Sequence, residues 1–453
     1  MTLETVRADL ADLADRLDTV IGDVDELLAE ATEPEPPEDE PQGPPDEPDG
    51  EPEPAPDPQP EPPDLPQLPD EFIAVPSGYK NLAKALGKAK PGDTFLLEPH
   101  TGGNPHRVIF NHEGIGGTFA RPSGLRVQGT AQEPITITSA QGTKWTGILG
   151  FGQQDRHIRL EGLNHAGNSG ARTMYAVQLR GTQHVDIAFC RFDEYLHWKL
   201  YSDTVAIWMG GGAQHVHIYN CDFSNIGADC IHTYNSRDVV VANCIAAWDG
   251  ELRTIEGHRV PIGENFIDIK GADNWTVRNN LVTGPTRYAA YRYSQNQTEP
   301  GKKAELGSTS QGGEGVVVHK WGGRNLEFID NDFRGMHYGY RILGNSTLNA
   351  VAKNDPEDHS DNITIRGGYV DAAGQPPGAQ ATAAAIFVGT GVVFPGINTP
   401  VYPRVTVDAV DIRGQWAGGD IVAKGTGNRH PQVTLRNMPN GLDLRRQAGG
   451  VIS

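Results

Sequence analysis

The sequence predicts an all-β solenoid of stacked strands over residues 72–453, preceded by a helix and an extended linker. Two observations predict the solenoid. Units of alternating apolar and polar residues recur at irregular intervals of at least 23 residues, and no segment of helical length separates them. Alternation indicates a strand with one face inside, and a short minimum period with variable additions is typical of stacked turns that tolerate insertions.

The repeated units are similar in length and pattern although their spacing varies. They read PITITSA (from residue 134), HIRLEGL (157), HVDIAFC (184), HVHIYNC (215), DVVVANC (238), NWTVRNN (274), NLEFIDN (325), NITIRGG (362), RVTVDAV (404) and QVTLRNM (432). A small residue or Asn follows most of these strands, namely Cys190, Cys221, Cys244, Asn280, Asn331 and Gly368. Such residues suit a sharp turn or a stacked ladder of side chains. We therefore expect a buried stack here rather than disulfides or zinc ligands.

Residues 1–31 predict a coiled-coil helix for oligomerisation or anchoring. All eight seam positions of four heptads are apolar: Leu3, Val6, Leu10, Leu13, Leu17, Val20, Val24 and Leu27. Leu on one seam position and Val on half of the other favour three or four strands over a parallel dimer. We expect a self-associating coil, most simply a trimer. The alternative is a single amphipathic helix docked on a partner.

Charge separates the N-terminal arm from the rest of the chain. Of the formal net charge of −20, residues 1–32 carry −7 and residues 33–71 carry −15, so residues 72–453 carry +2. Residues 32–71 are rich in Pro and acidic residues and are expected to be a disordered tether, or alternatively an acidic binding tail. The sequence shows no membrane span and no secretory signal pattern, and the charge argues against a nucleic-acid partner.

The start of the large domain resembles a known family. The stretch GYKNLAKALGKAKPGDTFLLEPHTG and the later GTAQEPITITSA look like the capping helix and first turn of right-handed parallel β-helix proteins of the pectate-lyase superfamily, in the chondroitinase B and alginate lyase branch. The resemblance covers roughly residues 76–440. The same fold builds trimeric bacteriophage tailspikes. A coil and a tether before a β-helix therefore resemble a virion tail protein, attached to a tail or baseplate partner through residues 1–31; a secreted or cell-surface protein is the alternative.

A second strand precedes each repeated unit and carries the candidate site. Its apolar alternates are expected inside: Val177, Leu179, Ile207, Met209, Ile231, Thr233, Ile267, Ile269, Val318 and Ile342. Its polar alternates are expected outside: Gln178, Arg180, Trp208, His232, Tyr234, Asp268, Lys270, His319 and Arg341. Turns stack about 4.8 Å apart. We therefore expect His232, Asp268, His319 and Arg341 to form one external column, with Lys320 as the alternative to His319.

Insertions flank the same stripe. The insertions lie at residues 193–203, 246–263, 284–313 and 345–360, and their loops would form the walls of a groove. Aromatic faces stack on sugar rings and arginine pairs with carboxylates. The predicted substrate-binding residues are therefore Trp208, His232, Tyr234, Arg287, Tyr288, Tyr291, Arg292 and Tyr293.

The stretch GENFIDIKG at residues 263–271 is either a solvated strand edge or one line of an active site. In the lyase branch, the resemblance implies that Lys270 abstracts a proton, that Arg341 or His319 assists, and that Glu264 and Asp268 bind calcium. The sequence has VHKWGG where that branch shows Arg-His-Gly. A glycosidase would instead use two carboxyls among Asp229, Glu264 and Asp268.

Three functions remain open from the sequence. The favoured one is a tailspike-like or tail fibre-like protein that recognises cell-surface polysaccharide through a groove on the β-helix. The second is a polysaccharide lyase or other depolymerase, with Lys270, Arg341, His319 and Asp268 as catalytic residues. The third is a structural tail component.

Overall fold

The computed structural model describes residues 71–77, 81–99, 105–110, 125–140, 143–167, 175–194, 204–249, 253–255, 258–260, 263–284, 313–319, 322–344, 360–372, 383–390, 403–425, 430–447 and 450–453. The predicted coiled coil (1–31) lies outside these residues, as do residues 32–70 of the predicted linker, so both stay predictions. No helix in the described part of the chain is long and apolar enough to cross a membrane.

The described chain winds through three ladders of parallel strands. The first ladder carries the candidate site. Its strands are His106–Phe110, Lys144–Phe151, Tyr175–Arg180, the start of Val205–Tyr219, the start of Asp229–Ala242, the start of Asn265–Arg278, Glu314–Val318, Tyr338–Leu343, Ala384–Gly389, Gly419–Lys424 and Leu444–Gln447.

The second ladder contains the repeated units found in the sequence. Its strands are Ile73–Val75, Thr94–Leu97, Ile135–Ser139, Arg156–Glu161, Gln183–Ala188, the ends of Val205–Tyr219, Asp229–Ala242 and Asn265–Arg278, then Arg324–Ile329, Asp361–Arg366, Arg404–Asp408, Gln432–Arg436 and Val451–Ile452. Each quoted unit therefore forms a strand, as the alternation predicts.

The third ladder is built from short strands of two or three residues. They are Asn164–His165, paired with the start of Lys144–Phe151, then Arg191–Asp193, Asp222–Ser224, Ile245–Ala247, Leu281–Thr283, Asp332–Arg334, Tyr369–Asp371 and Asp411–Arg413. One short helix, Asn81–Leu86, and one antiparallel pair, Arg253–Ile255 with His258–Val260, complete the described elements.

The apolar core fills the space between the ladders. All ten side chains expected inside are buried, from Val177 to Ile342. Every pairing among the three ladders is parallel, and alternate inward residues from successive turns form one continuous core. The all-β prediction and the parallel β-helix are thus confirmed for the described residues.

The predicted stack of small residues is also present. The backbone N–H that follows one member of the stack donates to the carbonyl of the member before it, for example from Leu281 N to the carbonyl of Cys244 and from Tyr369 N to that of Asn331. Asn280 Nδ2 donates to Asn331 Oδ1 over 2.8 Å in the buried interior. The four cysteines are buried free thiols. Asn and Asp adopt positive φ at many neighbouring turn positions, among them Asn220, Asn243, Asn279 and Asp330.

Candidate functional site: a buried charged cluster on the first ladder

The strand register places the predicted outward column on the first ladder with one correction. His232 pairs with Asp268, Asp268 pairs with Val317, and Val317 pairs with Arg341. Val317, not His319, therefore occupies the column. The prediction was wrong by two residues because the strand Glu314–Val318 follows the insertion at 284–313, whose length hides the register. Lys320, the alternative, lies outside the described residues.

His319 nevertheless reaches the same cluster from two residues further along. Its Nε2 lies 2.8 Å from Asp268 Oδ1. Its side chain is 24% exposed, whereas that of Asp268 is 5% exposed. Asp268 is thus the buried partner and His319 the accessible one.

Asp268 is the hub of the cluster. Its Oδ2 lies 2.7 Å from Lys270 Nζ and 3.6 Å from His232 Nδ1. Burial alone would raise the pKa of Asp268, but His319, His232 and Lys270 outweigh it and hold that pKa well below its usual range. Asp268 is therefore a carboxylate, and Nε2 of His319 must carry the hydrogen that it donates.

Lys270 is held as an ammonium ion. Burial would lower its pKa, but the carboxylates of Asp268 and Asp229 outweigh burial and raise the pKa above its ordinary value. Its Nζ also lies 3.1 Å from His232 Nε2 and 5.1 Å from the centre of the Tyr234 ring. A lysine base needs a lowered pKa, so this geometry does not favour the proton-abstracting role that the resemblance implies for Lys270.

Asp229 closes the cluster on the preceding turn. Its Oδ2 accepts from His232 Nδ1 over 2.7 Å, and its Oδ1 accepts from Asn265 Nδ2 over 2.7 Å. Burial and the nearby charge of Asp268 raise the pKa of Asp229 well above its usual range. Asp229 and Asp268 thus share His232, yet their pKa values shift in opposite directions.

Arg341 and Glu314 form a second charged pair, and they lie three and two turns along the ladder from Asp229. Arg341 Nη1 donates to Glu314 Oε1 over 2.7 Å, and the guanidinium carbon lies 5.5 Å from the centre of the Tyr338 ring. Burial raises the pKa of Glu314, while Arg341 opposes the shift. Arg341 remains 20% exposed, so a cation reaches the surface on the turn after Glu314–Val318.

A row of aromatic rings continues from the cluster along the first ladder. The ring centres of Tyr175 and Trp208 lie 5.3 Å apart with 27° between the ring planes, and those of Trp208 and Tyr234 lie 6.3 Å apart. All three side chains are partly exposed. Gly210 makes room for the indole, because a Cβ at this position would collide with the ring atoms of Trp208. This aromatic row and the cluster form one polar and aromatic surface.

The cluster contains a group of possible metal ligands. One ligand atom each from Asp229, His232 and Asp268 lies within 4.8 Å of the others. Calcium prefers oxygen ligands in a hard, carboxylate-rich shell. Here Lys270 already neutralises Asp268 and contacts His232, and burial with repulsion from Asp229 and Asp268 raises the pKa of Glu264. Lys270 thus lies beside Asp268 where a calcium ion would approach, and the expected calcium ligands Glu264 and Asp268 stay a prediction.

The sequence reasoning placed some site residues and missed others. It brought together His232, Tyr234, Asp268, Lys270, His319, Arg341 and Trp208, which the structure places on one surface. It missed Asn265, Glu314 and Tyr175 and named Asp229 only as a glycosidase alternative. Asp229, Asn265, Glu314 and Tyr338 each stand three residues before the outward column, so a spacing of three could have found them. Arg287, Tyr288, Tyr291, Arg292 and Tyr293 lie outside the described residues.

Solved structures similar to this chain include polysaccharide lyases and a phage tailspike. An alginate lyase from Paenibacillus is 13% identical with a TM-score of 0.45, covering 84% of this chain and 99% of that one. A PL6 family polysaccharide lyase from Pseudopedobacter saltans is 12% identical with a TM-score of 0.43, covering 84% and 92%. Tailspike protein 2 of an Escherichia coli bacteriophage is 9% identical with a TM-score of 0.39, covering 81% and 43%.

No protein-family model matches the chain, and no curated protein sequence matches it. The class of the protein follows from its own strand pairing: it is a parallel β-helix. The similar solved structures include an alginate lyase, a pectate lyase and a tailspike.

Proposed function

We propose that this chain is a tailspike-like protein that recognises cell-surface polysaccharide through the first ladder. The observation that carries this proposal is the aromatic row of Tyr175, Trp208 and Tyr234 leading into a cluster with an accessible arginine. Aromatic faces stack on the apolar faces of sugar rings, and a guanidinium pairs with sugar carboxylates. An acidic polysaccharide running along the ladder would meet both.

The N-terminal arm supports the same proposal. A coil over residues 1–31 would join three copies and attach them to a tail or baseplate partner, and the tether 32–71 would hold the β-helix away from that anchor. A virion tail is the proposed location, and a secreted or cell-surface location is the alternative. In a structural tail component, by contrast, the groove would bind no glycan.

Binding to polygalacturonate, to alginate and to neutral dextran, measured by affinity electrophoresis of the full chain, tests recognition. We expect tighter binding of an acidic polymer than of dextran. Trp208→Ala should weaken it at least about tenfold, which corresponds to about 1.4 kcal/mol. Tyr369→Ala is the matched control, because Tyr369 is a partly exposed aromatic residue beside arginines on the third ladder. Equal binding by both variants would contradict a glycan site on the first ladder.

A second candidate function, cleavage of an acidic polysaccharide by β-elimination, is favoured by the pair of Asp268 and His319. Asp268 accepts the hydrogen on His319 Nε2, which leaves Nδ1 as the nitrogen of this accessible side chain that would act as the base. That nitrogen would take the proton next to the uronate carboxylate. The C–H electrons would form the new double bond as the glycosidic C–O bond breaks, and the leaving oxygen would take a proton from water.

Ultraviolet absorbance of unsaturated products separates the two candidates. If the chain cleaves, His319→Ala should lower the rate at least about a hundredfold. Lys270→Met, which removes the ammonium but keeps much of the apolar stem, should lower the rate less, because Lys270 positions Asp268 rather than accepting the proton. A larger loss for Lys270→Met than for His319→Ala would restore lysine as the base. Absence of unsaturated product with every uronate polymer would leave recognition alone.

A further inference from the structure

A polar hollow, separate from the charged cluster, lies where the chain passes from the first ladder to the second. Its volume is about 530 Å³, and none of its lining side chains is a carboxylate. The lining residues are Gln153, Gln154, Gly181, Gln183, Gly211, Gly212, Gln214, Asn235, Ser236 and Arg237. We call this feature the amide hollow, because side-chain amides dominate its lining.

An irregular turn opens the hollow. Gly210 pairs with Tyr234 and Ala213 pairs with Ser236. Two residues therefore separate these positions in the strand Val205–Tyr219, whereas one residue separates them in the neighbouring strand Asp229–Ala242. Gly211 and Gly212 fill the extra space with φ of 61° and 85°, values that favour glycine. A Cβ on Gly212 would meet no atom within 4 Å. The bulge thus creates open space rather than a packed corner, and bulges often mark binding sites.

Neighbouring turns order the polar groups that line this space. Gln183 and Gln214 pair in adjacent turns, and Arg237 follows in the next. Arg237 Nε donates to Gln214 Oε1 over 2.6 Å, which fixes how that amide faces. Gly181 admits the side chain of Gln153, because a Cβ there would lie 2.5 Å from Gln153 Cγ. The amides are therefore arranged by the fold and not merely gathered on a loop.

The chemistry of the lining indicates a neutral ligand. Each amide can both donate and accept, which matches adjacent hydroxyl groups of a sugar ring. One arginine is the single charged side chain of the lining, whereas the charged cluster holds several ionised groups. A volume of about 530 Å³ also lies within the range of small-molecule sites.

The amide hollow adjoins the aromatic row. Gly211 follows Gly210, over which the Trp208 ring lies, and Asn235 follows Tyr234. We propose that the amide hollow is a neutral-sugar subsite that extends the groove, so that the preferred glycan carries neutral pyranose units beside its acidic units. This inference rests on the proposed glycan recognition and narrows its substrate class to a heteropolysaccharide.

Saturation-transfer NMR on the full chain tests the subsite, with the methyl glycosides of glucose, galactose, mannose and rhamnose as probes. At least one glycoside should receive saturation from the native chain. The double change Gln183→Ala with Gln214→Ala should weaken its binding at least about tenfold, as should Gly212→Asn, whose side chain enters the space and tolerates positive φ. Gln432→Ala changes an exposed glutamine elsewhere on the second ladder and should have no effect.

Three results would overturn the subsite. The first is that no glycoside receives saturation. The second is that both hollow variants keep the native thermal midpoint and bind the glycoside as tightly as the native chain. The third is that only Trp208→Ala loses glycoside binding. The third would place the neutral sugar on the aromatic row. Binding of the acidic polymers is measured in a separate experiment with Trp208→Ala. A result that rejects the neutral-sugar subsite can therefore be told apart from one that rejects glycan recognition on the first ladder.

Discussion

At the scale of single residues, Asp268 sets the state of its neighbours. It is 3% exposed and lies within 2.8 Å of both Lys270 and His319. A buried carboxylate is costly unless it is paired. The pairing keeps Lys270 charged and orients His319, so one side chain links the interior of the cluster to its accessible edge.

Asp268→Asn should therefore destabilise the protein by about 3–5 kcal/mol, because it leaves the buried ammonium of Lys270 without its nearest counter-charge. Urea unfolding followed by circular dichroism at neutral pH measures this loss. The matched control is Asp361→Asn, which breaks the pair of Asp361 and Arg404, whose arginine side chain is 66% exposed. That control should cost at most about 1 kcal/mol. Equal losses would show that burial of the Asp268 pair adds nothing.

The two aspartates should respond to pH with opposite signs. The lowered pKa of Asp268 means that its contribution to stability is present above the unfolded value of about 3.9 and is lost as pH falls through the folded pKa. The raised pKa of Asp229 means that its contribution is present below about 3.9 and is lost as pH rises through the folded pKa.

The loss in free energy of unfolding that Asp268→Asn causes should accordingly grow from pH 3 to pH 7. The loss that Asp229→Asn causes should shrink over the same range. Unfolding midpoints at a series of pH values provide the measurement. Parallel pH profiles for the two variants would refute the opposite shifts of the two pKa values.

At the scale of elements, stacking brings distant residues into contact. Asp268 and His319 are 51 positions apart, yet their side chains form a hydrogen bond. The same stacking builds the buried asparagine ladder, in which Asn280 Nδ2 donates to Asn331 Oδ1 and Asn331 Nδ2 donates to the Val277 carbonyl over 2.9 Å. Each turn thus satisfies polar groups of the turn before it.

Asn331→Ala should cost about 2–4 kcal/mol, because it removes these bonds and leaves buried partners unsatisfied. Asn362→Gly is a suitable control, since Asn362 has φ of 52° and its exposed amide donates one bond to Asn325. Glycine keeps that backbone geometry, so the control should cost less than about 1 kcal/mol. Thermal and urea unfolding of both variants would show the difference, and similar losses would mean that the buried ladder is not stabilising.

At the scale of the whole molecule, the acidic arm and the nearly neutral β-helix domain are chemically distinct. The predicted coil over residues 1–31 is the part expected to set the number of copies. Light scattering should give three times the chain mass of 48.9 kDa for the full chain. The double change Leu10→Asp with Leu17→Asp places charges in the seam and should lower that mass, while Asp9→Ala outside the seam should not. A monomer at micromolar concentration for the unchanged chain would reject the predicted coil.

The sequence by itself determined the strands, their inward faces and the stack of small residues, because apolar residues alternate with polar ones along a strand that has one buried face. It also separated the acidic arm from residues 72–453 by charge. It placed His232, Asp268 and Arg341 in one column because their turns could be aligned by apolar alternates.

Only the tertiary structure decided what depends on register and burial. The insertion at 284–313 hid the true alignment, so Val317 took the place predicted for His319, while the His319 side chain still reached Asp268. Whether Lys270 is a base or an ammonium depends on how deeply it is buried and on which carboxylates lie beside it. Those distances arise only when separate turns stack, which is why composition and spacing could name the residues of the cluster but not their charge states.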